Sequence, residues 1–284
     1  MSAPSPLPGT ALHQRFAAPL DTARLAAALG DRCDLRTVRT TGSTNADVLA
    51  EVRRAAPPRP QLLAAVEQTA GRGRLGRRWS TAPGSALLFS LAVPTRAPPE
   101  GVAAASLACA VALAAALRAE GIPLAIKWPN DLLLDERKLA GTLIELAIDA
   151  DGARTLVVGV GLNLWCDAAQ RAQIGQPAAA LAERIALPDL AAERELRLAR
   201  LAGALLDALA LFEAQGFVPL HARYMQWLAW VGAEVELSQR QTRVGRGRLC
   251  GVDAAGRLLV EVEGRPRAFV VGDLSLRSVG PAAV

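Results

Sequence analysis

The chain has 284 residues, 51% of them hydrophobic and 4% aromatic, and a formal net charge of +5 with an isoelectric point near 9.5. This is room for one large domain, or a large and a small one, around a core of Ala, Leu and Val, and it excludes a disordered or low-complexity chain. The mild basicity permits an anionic ligand such as a nucleotide without demanding nucleic acid.

Residues 1–20 lack a basic stretch followed by an apolar run, so no export signal is expected. With four prolines and little pattern they read as a loose arm. DTARLAAALG (21–30) predicts a short helix, with Asp21 near its start and Gly30 as the stop. LRTVRTTGSTN (35–45) predicts a strand entering a turn, and Ser43 or Thr44 can cap the next helix, NADVLAEVRR. A loop, AAPPRP (55–60), precedes the buried strand LLAAVEQ (62–68). TAGRGRLGRRWSTAPGS (69–85) has no periodicity and reads as a loop; ALLFSLAVP (86–94) is a strand.

VAAASLACAVALAAAL (102–117) is uncharged for 16 residues. That is short of the ~20 needed to span a bilayer, so it reads as a buried core helix and no membrane partner is expected. A meander of three strand-like runs follows: LAIKWPNDLLL (124–134), KLAGTLIELAID (138–149) and TLVVGVGLNL (155–164). DERK (135–138) and DADG (149–152) supply the turns. Residues 177–216 and 217–230 read as helical, the first region by the apolar spacing of LRLARLAGALLDALALFEAQG (196–216). From 231 to 280 the texture changes to short alternating runs with glycine turns, which predicts a small β-barrel of SH3-like size. The expected organisation is an arm (1–20), a catalytic domain (21–230) and a barrel (231–284), with an α+β fold class.

Four cysteines without a CxxC pair fit free thiols in a reducing, cytoplasmic setting, and two histidines nearly exclude a Ser-His-Asp triad or a His-based zinc site. Of 32 basic residues only two are lysine, Lys127 and Lys138, in KWPNDLLLDERKLAG (127–141). Lysine is a compact point charge where arginine is a planar fork, so this stretch is a candidate site that uses an ammonium. Lys127, Asn130 and Asp131 interrupt an apolar run, and polar groups so placed usually have a partner or a job. Asp131 is a candidate for a cation or a nucleotide hydroxyl, and Lys127 for neutralising it or meeting a phosphate. A chain reversal at DERK would bring Lys138 near both.

GRGRLG (71–76) matches the dinucleotide fingerprint in letters only. The fingerprint needs a helix at the glycines and an acid about 20 residues on, and no acid occurs between Glu67 and Glu100. What remains is a Gly loop carrying Arg72, Arg74, Arg77 and Arg78, suited to phosphate or carboxylate oxygens. A solvated basic loop is the ordinary alternative. A second GRGR (245–248) reads as a barrel turn.

Taken together, GSTN (42–45), EQTAGRGRLGRRW (67–79), KWPNDLLLDERKLAGTLIE (127–145) and VVGVGLN (157–163) resemble the biotin–protein ligase family in order and spacing. The resemblance covers roughly residues 36–280. It implies a mixed sheet flanked by helices, related to class II aminoacyl-tRNA synthetases, and formation of biotinyl-adenylate from biotin and ATP with Mg²⁺. It further implies transfer to a lysine of the biotin carboxyl carrier protein of acetyl-CoA carboxylase.

By the same resemblance Ser43, Thr44, Asn45 and Gln68 hold the biotin ring. Gly71, Arg72, Gly73 and Arg74 close over biotin and phosphate, and Gly141 and Gly159 line the pocket. Lys138 meets carboxylate and α-phosphate, and Lys138, Arg72 and Arg74 are the catalytic candidates. Trp79, Lys127, Asn130, Asp131 and Asn163 serve the nucleotide, with Asp131 the Mg²⁺ candidate. Gly42 replaces a frequent acid, and 164–181 matches poorly. About 35 residues precede the core, too few for the DNA-binding domain of some members, so no DNA partner is expected. Some members dimerise through the sheet edge, which leaves a homodimer open. The rivals are a lipoate or octanoate ligase or transferase on a related core, a nucleic-acid-binding module, and a dinucleotide enzyme.

Overall fold

A computed structural model describes residues 8–167, 176–239, 242–271 and 274–279. The helices are α1 (Pro8–Ala17), α2 (Thr22–Leu29), α3 (Thr44–Val52), α4 (Val102–Arg118), α5 (Leu187–Ala192), α6 (Arg194–Gln215) and α7 (Val218–Trp227). The strands are β1 (Asp34–Thr41), β2 (Gln61–Gln68), β3 (Ala86–Thr95), β4 (Ala125–Lys127), β5 (Asp131–Leu134), β6 (Arg137–Ile148), β7 (Arg154–Asn163), β8 (Glu234–Gln239), β9 (Thr242–Val252), β10 (Leu258–Val262), β11 (Arg265–Phe269) and β12 (Leu274–Ser278).

Packing divides the chain into two compact units, one of residues up to 95 with 134–203, the other of 96–133 with residues from 204 on. This division runs across the chain, whereas the sequence suggested a single boundary near 231.

In the first unit the strands lie in the order β1-β2-β3-β7-β6. β1 and β2 are parallel and the other pairs antiparallel. A parallel pair needs a crossover, and α3 supplies it. Ser43 caps α3, its Oγ accepting from the Ala46 N–H at 3.4 Å. Val48, Leu49 and Val52 on one face of α3 pack with Leu63, Ala92, Ala147 and Val157 of the sheet, and Val38 covers the edge. Burying each such aliphatic side chain contributes about 1.5–3 kcal/mol, so the first turn of α3 is held in place from below.

Of the expected loose arm (1–20), residues 8–17 instead form α1, and residues 1–7 lie outside the described residues. Phe16 is buried, and the carbonyls of Phe16, Ala18 and Pro19 accept from the buried Arg194, which Glu195 pairs at 2.7 Å. Prolines at the edges of a short helix do not prevent it, and a buried guanidinium needs acceptors that the end of α1 provides.

In the second unit α4 is buried along most of its length, as expected for a core helix. The expected single strand 124–134 is two strands, β4 and β5, paired antiparallel across a turn at Trp128–Asn130. Proline has no N–H for a ladder, so the run turns there. The helix expected over 217–230 ends at Trp227, and of residues 177–216 the stretch before α5 is extended or a single 3₁₀ turn.

The C-terminal strands form an antiparallel sheet in the order β11-β10-β9-β8-β12. The expected SH3-like barrel is corrected to this open sheet, since no pairing between β11 and β12 closes it among the described residues. Alternation buries Val235, Leu237, Leu249, Leu258, Val260 and Leu276 on one face. The second GRGR lies inside β9 and is not a turn. Arg246 and Arg248 are exposed, and a Cβ on buried Gly247 would come within 2.0 Å of the Glu261 carbonyl oxygen.

Candidate active site

The first turn of α3 gathers the polar groups. The Thr44 N–H and Oγ1–H donate to Gln68 Oε1 at 2.7 and 3.0 Å. Because the Thr44 proton goes to that amide oxygen, Ser90 on β3 is left to donate to Thr44 Oγ1 at 2.8 Å. The bonds fix the Gln68 amide with Oε1 towards Thr44. Its Nε2 lies 3.1 Å from where a Cβ on Gly71 would sit. Asn45 Nδ2 donates to Glu145 Oε2 on β6 at 2.6 Å. Asn45 is 4% exposed, yet its Oδ1 has no hydrogen-bond partner among the described residues.

Two glycines are required by close approach. A Cβ at Gly159, on β7 opposite Ser90, would lie 2.7 Å from Asn45 Oδ1. A Cβ at Gly161, two residues on and on the same face, would lie 2.5 Å from the Trp79 indole. Gly161 pairs with Gly141 on β6, so both strands are without side chains where the indole lies.

The Gly/Arg loop is a small hairpin. Trp79 N–H donates to the Gly71 carbonyl at 2.9 Å, Gly73 N–H donates to the Arg77 carbonyl at 2.7 Å, and Arg72 bridges Arg78. Its tip, Arg74–Gly76, is a 3₁₀ turn with Leu75 and Gly76 at φ 59° and 69°. Gly71 is buried, and a Cβ there would meet the Trp79 carbonyl oxygen at 2.5 Å, so the base of the hairpin is tight. Arg77 and Arg78 are exposed, and Arg78 is tied to the Thr69 carbonyl at 2.9 Å.

Lys138 opens β6. Its Nζ stands 5.4 Å from the centre of the Trp79 ring, within cation–π range. Its backbone donates to Pro177 and accepts from Ala179, at 3.0 and 2.9 Å. Asn163 Nδ2 donates to the Ala179 carbonyl at 2.9 Å, which ties the 177–180 stretch beside Lys138. Next door, Arg137 grips Glu183 with both terminal nitrogens at 3.2 and 2.5 Å, and this hydrogen bonding raises the Arg137 pKa above its ordinary value.

Ser43, Thr44, Asn45, Gln68, Gly71, Gly73, Trp79, Lys138, Gly141, Gly159 and Asn163 thus belong to the first unit, as do Arg72 and Arg74. Lys127, Asn130 and Asp131 belong to the second. There Lys127 and Asp131 are cross-strand partners, and Lys127 Nζ is 5.8 Å from the centre of the Trp230 ring. Two residues of the turn between them hold the chain: Trp128 Nε1 donates to the Gly256 carbonyl at 3.2 Å, and the Tyr224 hydroxyl donates to the Pro129 carbonyl at 3.2 Å. Among the described residues no group of three or more His, Cys, Asp or Glu is placed to hold a metal. A single Asp131 carboxylate suits Mg²⁺ that arrives on substrate phosphates with water as its other ligands.

Sequence reasoning missed Ser90 and Glu145, visible only as polar residues inside apolar strands. The two glycines of GVGLN read as leaving space against the sheet, and at Gly161 it is the Trp79 indole that takes it.

Residues 37–163 match the model of the biotin/lipoate A/B protein ligase family. The chain is 33% identical over 250 residues to the biotin–acetyl-CoA-carboxylase ligase of Mycobacterium tuberculosis, covering 84% of this chain and 88% of that one. It belongs to the biotin protein ligase family. Identity is also 33% over 213 residues with the bifunctional ligase/repressor BirA of Salmonella typhimurium, covering 74% of this chain and 65% of the repressor, so the match spans just under two thirds of that relative. Among solved structures, the biotin protein ligase from Aquifex aeolicus in complex with biotin and ATP superposes with a TM-score of 0.68 at 26% identity, covering 87% and 99% of the two chains. The matched stretch of 37–163 contains every biotin protein ligase motif residue named above.

Proposed function

We propose that the chain activates biotin with ATP to biotinyl-5'-AMP and passes the biotin to a lysine of a biotin carboxyl carrier protein. The observation that carries this reading is the polar cluster of Thr44, Asn45 and Gln68 in the same unit as Lys138 over Trp79. A ureido ring both donates and accepts, and the cluster offers a buried acceptor in Asn45 Oδ1 and an oriented amide in Gln68.

In the first step a biotin carboxylate oxygen bonds to the α-phosphorus, the bond from that phosphorus to the bridging oxygen breaks, and pyrophosphate leaves. The nucleophile and the phosphate are both anionic, and two unit charges 4 Å apart repel by about 4 kcal/mol at an effective dielectric near 20. Fixed cations that meet the developing charge lower that barrier. Lys138 fills this role, with Arg72 and Arg74 on the hairpin closing over the carboxylate and phosphate. Closure also keeps water from the mixed anhydride. Trp79, Lys127, Asn130, Asp131 and Asn163 are the residues proposed to serve the nucleotide, with Asp131 the one suited to the Mg²⁺ that enters with ATP. In the second step the carrier's lysine amine attacks the acyl carbon and AMP leaves. No side chain of the chain is acylated. The carrier of acetyl-CoA carboxylase is the proposed partner, and the part from residue 231 is proposed as an accessory module.

Biotin-dependent ATP–pyrophosphate exchange tests the first step. Exchange is expected with biotin, and exchange with lipoate but not biotin would overturn the reading.

A further inference from the structure

The two amides of the cluster are oriented by different neighbours. Thr44 fixes Gln68 by giving both its donors to Oε1. Asn45 is fixed from the opposite side, because Glu145 Oε2 accepts from its Nδ2 at 2.6 Å. A carboxylate oxygen only accepts, so the Asn45 amide has one acceptable orientation. Flipped, it would press Oδ1 against Oε2 and leave Nδ2 towards Gly159. In the observed orientation Oδ1 is buried, faces Gly159 and has no partner among the described residues. A buried acceptor left unmade is costly, which is the state of a group that waits for a donor.

We infer that Glu145 is a positioning residue that holds the Asn45 amide so that Oδ1 is presented to a ureido N–H of biotin. The inference rests on the proposed biotin ligation. Glu145 reaches the ligand only through Asn45, and its contribution is the polarity of one pocket wall. Together with Gln68, whose Nε2 is turned the other way, the wall offers an acceptor at Gly159 and a donor towards Gly71. A ring that donates and accepts on different edges matches that pattern, and a purely apolar dithiolane ring does not. Nothing in the composition or spacing of KLAGTLIE assigns the glutamate this task, since it sits seven residues beyond Lys138 on the same strand.

The test removes the fixed acceptor. Glu145→Leu leaves Nδ2 without the oxygen that holds it, so the Asn45 amide is free to turn Nδ2 towards the ligand. Its biotin KM in the exchange assay is expected to rise about tenfold or more, the equivalent of about 1.4 kcal/mol. The ATP KM should stay within about twofold, because the lost hydrogen bond is to biotin alone. The double variant Asn45→Asp with Glu145→Gln keeps the net charge and restores the pattern. One oxygen of the relocated carboxylate accepts from the new amide and the other faces Gly159 as an acceptor. The biotin KM should then return to within about threefold of wild type.

A Glu145→Leu biotin KM unchanged to within about twofold overturns the inference, and so does a double variant no better than the single one. If the double variant does not fold, the single variant decides alone. A loss confined to biotin supports the inference and an equal loss for ATP overturns it. Wild-type exchange run alongside separates the two levels. No biotin-dependent exchange by the wild type removes the proposed function itself, whereas active wild type with an indifferent Glu145→Leu removes only the positioning role.

Discussion

Two stretches carry the densest polar signals, and they fold in opposite ways. The residues proposed to hold biotin are scattered from 43 to 159, yet hydrogen bonds tie the first of them to distant strands: Thr44 to Gln68 and Ser90, and Asn45 to Glu145. KWPND is contiguous, yet its members have divided tasks. Trp128 and Pro129 are bonded into the second unit through Gly256 and Tyr224, while Lys127 and Asp131 face each other across a hairpin. A compact motif is therefore not the same as a compact site. Part of a motif holds the chain so that the rest can be presented.

The largest effect that sharpens this contrast is expected from Lys138→Ala. It should cut pyrophosphate exchange by about 100-fold or more, as removal of a fixed charge-stabilising group does, with an unchanged thermal unfolding curve. Unaltered exchange would reduce Lys138 to a partner of the Trp79 ring.

Next is Gly161→Val, whose Cβ would collide with the indole at 2.5 Å. Displacing Trp79 should lower exchange by roughly 10-fold, since misplacing a positioning group by an ångström has effects of that order or greater. It should also shift tryptophan fluorescence. Wild-type rates with a shifted spectrum would separate Trp79 from the chemistry.

A matched pair then probes the two regions. Thr44→Val removes a donor from the biotin-side network and Trp128→Phe removes one from KWPND. Each should lower stability by about 1–2 kcal/mol in urea unfolding. Only Thr44→Val should also raise the biotin KM, and a rise of similar size from Trp128→Phe would erase the contrast.

The smallest effect concerns acid. Backbone N–H groups of Ala56 and Ala153 hold the Asp149 carboxyl below its ordinary pKa. In the second unit burial pushes Asp253 up, but hydrogen bonds from the Arg257 backbone and side chain outweigh it, and the net shift is also down. A carboxyl depressed in the folded state contributes stability above its unfolded pKa near 4, and that stability is lost as pH falls through the folded value. Asp149→Asn and Asp253→Asn should each flatten the fall in stability below about pH 4, read from urea midpoints at stepped pH. An unchanged slope in one variant would show that its unit does not set acid sensitivity.

The alternation of β8 to β10, a cap of α3 at Ser43 or Thr44 and the core helix α4 were legible because each is local: a period, a cap, an apolar run. The loose arm was misread because α1 depends on Arg194, 178 residues from Phe16 in sequence. The strand 124–134 was misread because an apolar run does not say which side of a proline pairs with which. The expected barrel became an open sheet for a similar reason, since strand content does not specify closure.

The sequence by itself determined the chemistry available: a Gly/Arg loop, two lysines in one stretch, hydroxyl and amide groups in GSTN and at Gln68. It also carried the family resemblance in the order and spacing of its motifs. Only the tertiary structure decided which amide faces which way. That orientation comes from Glu145 for Asn45 and from Thr44 for Gln68, partners 100 and 24 residues apart in sequence. Hydrogen-bond polarity is a property of neighbours in space, and no residue carries it alone.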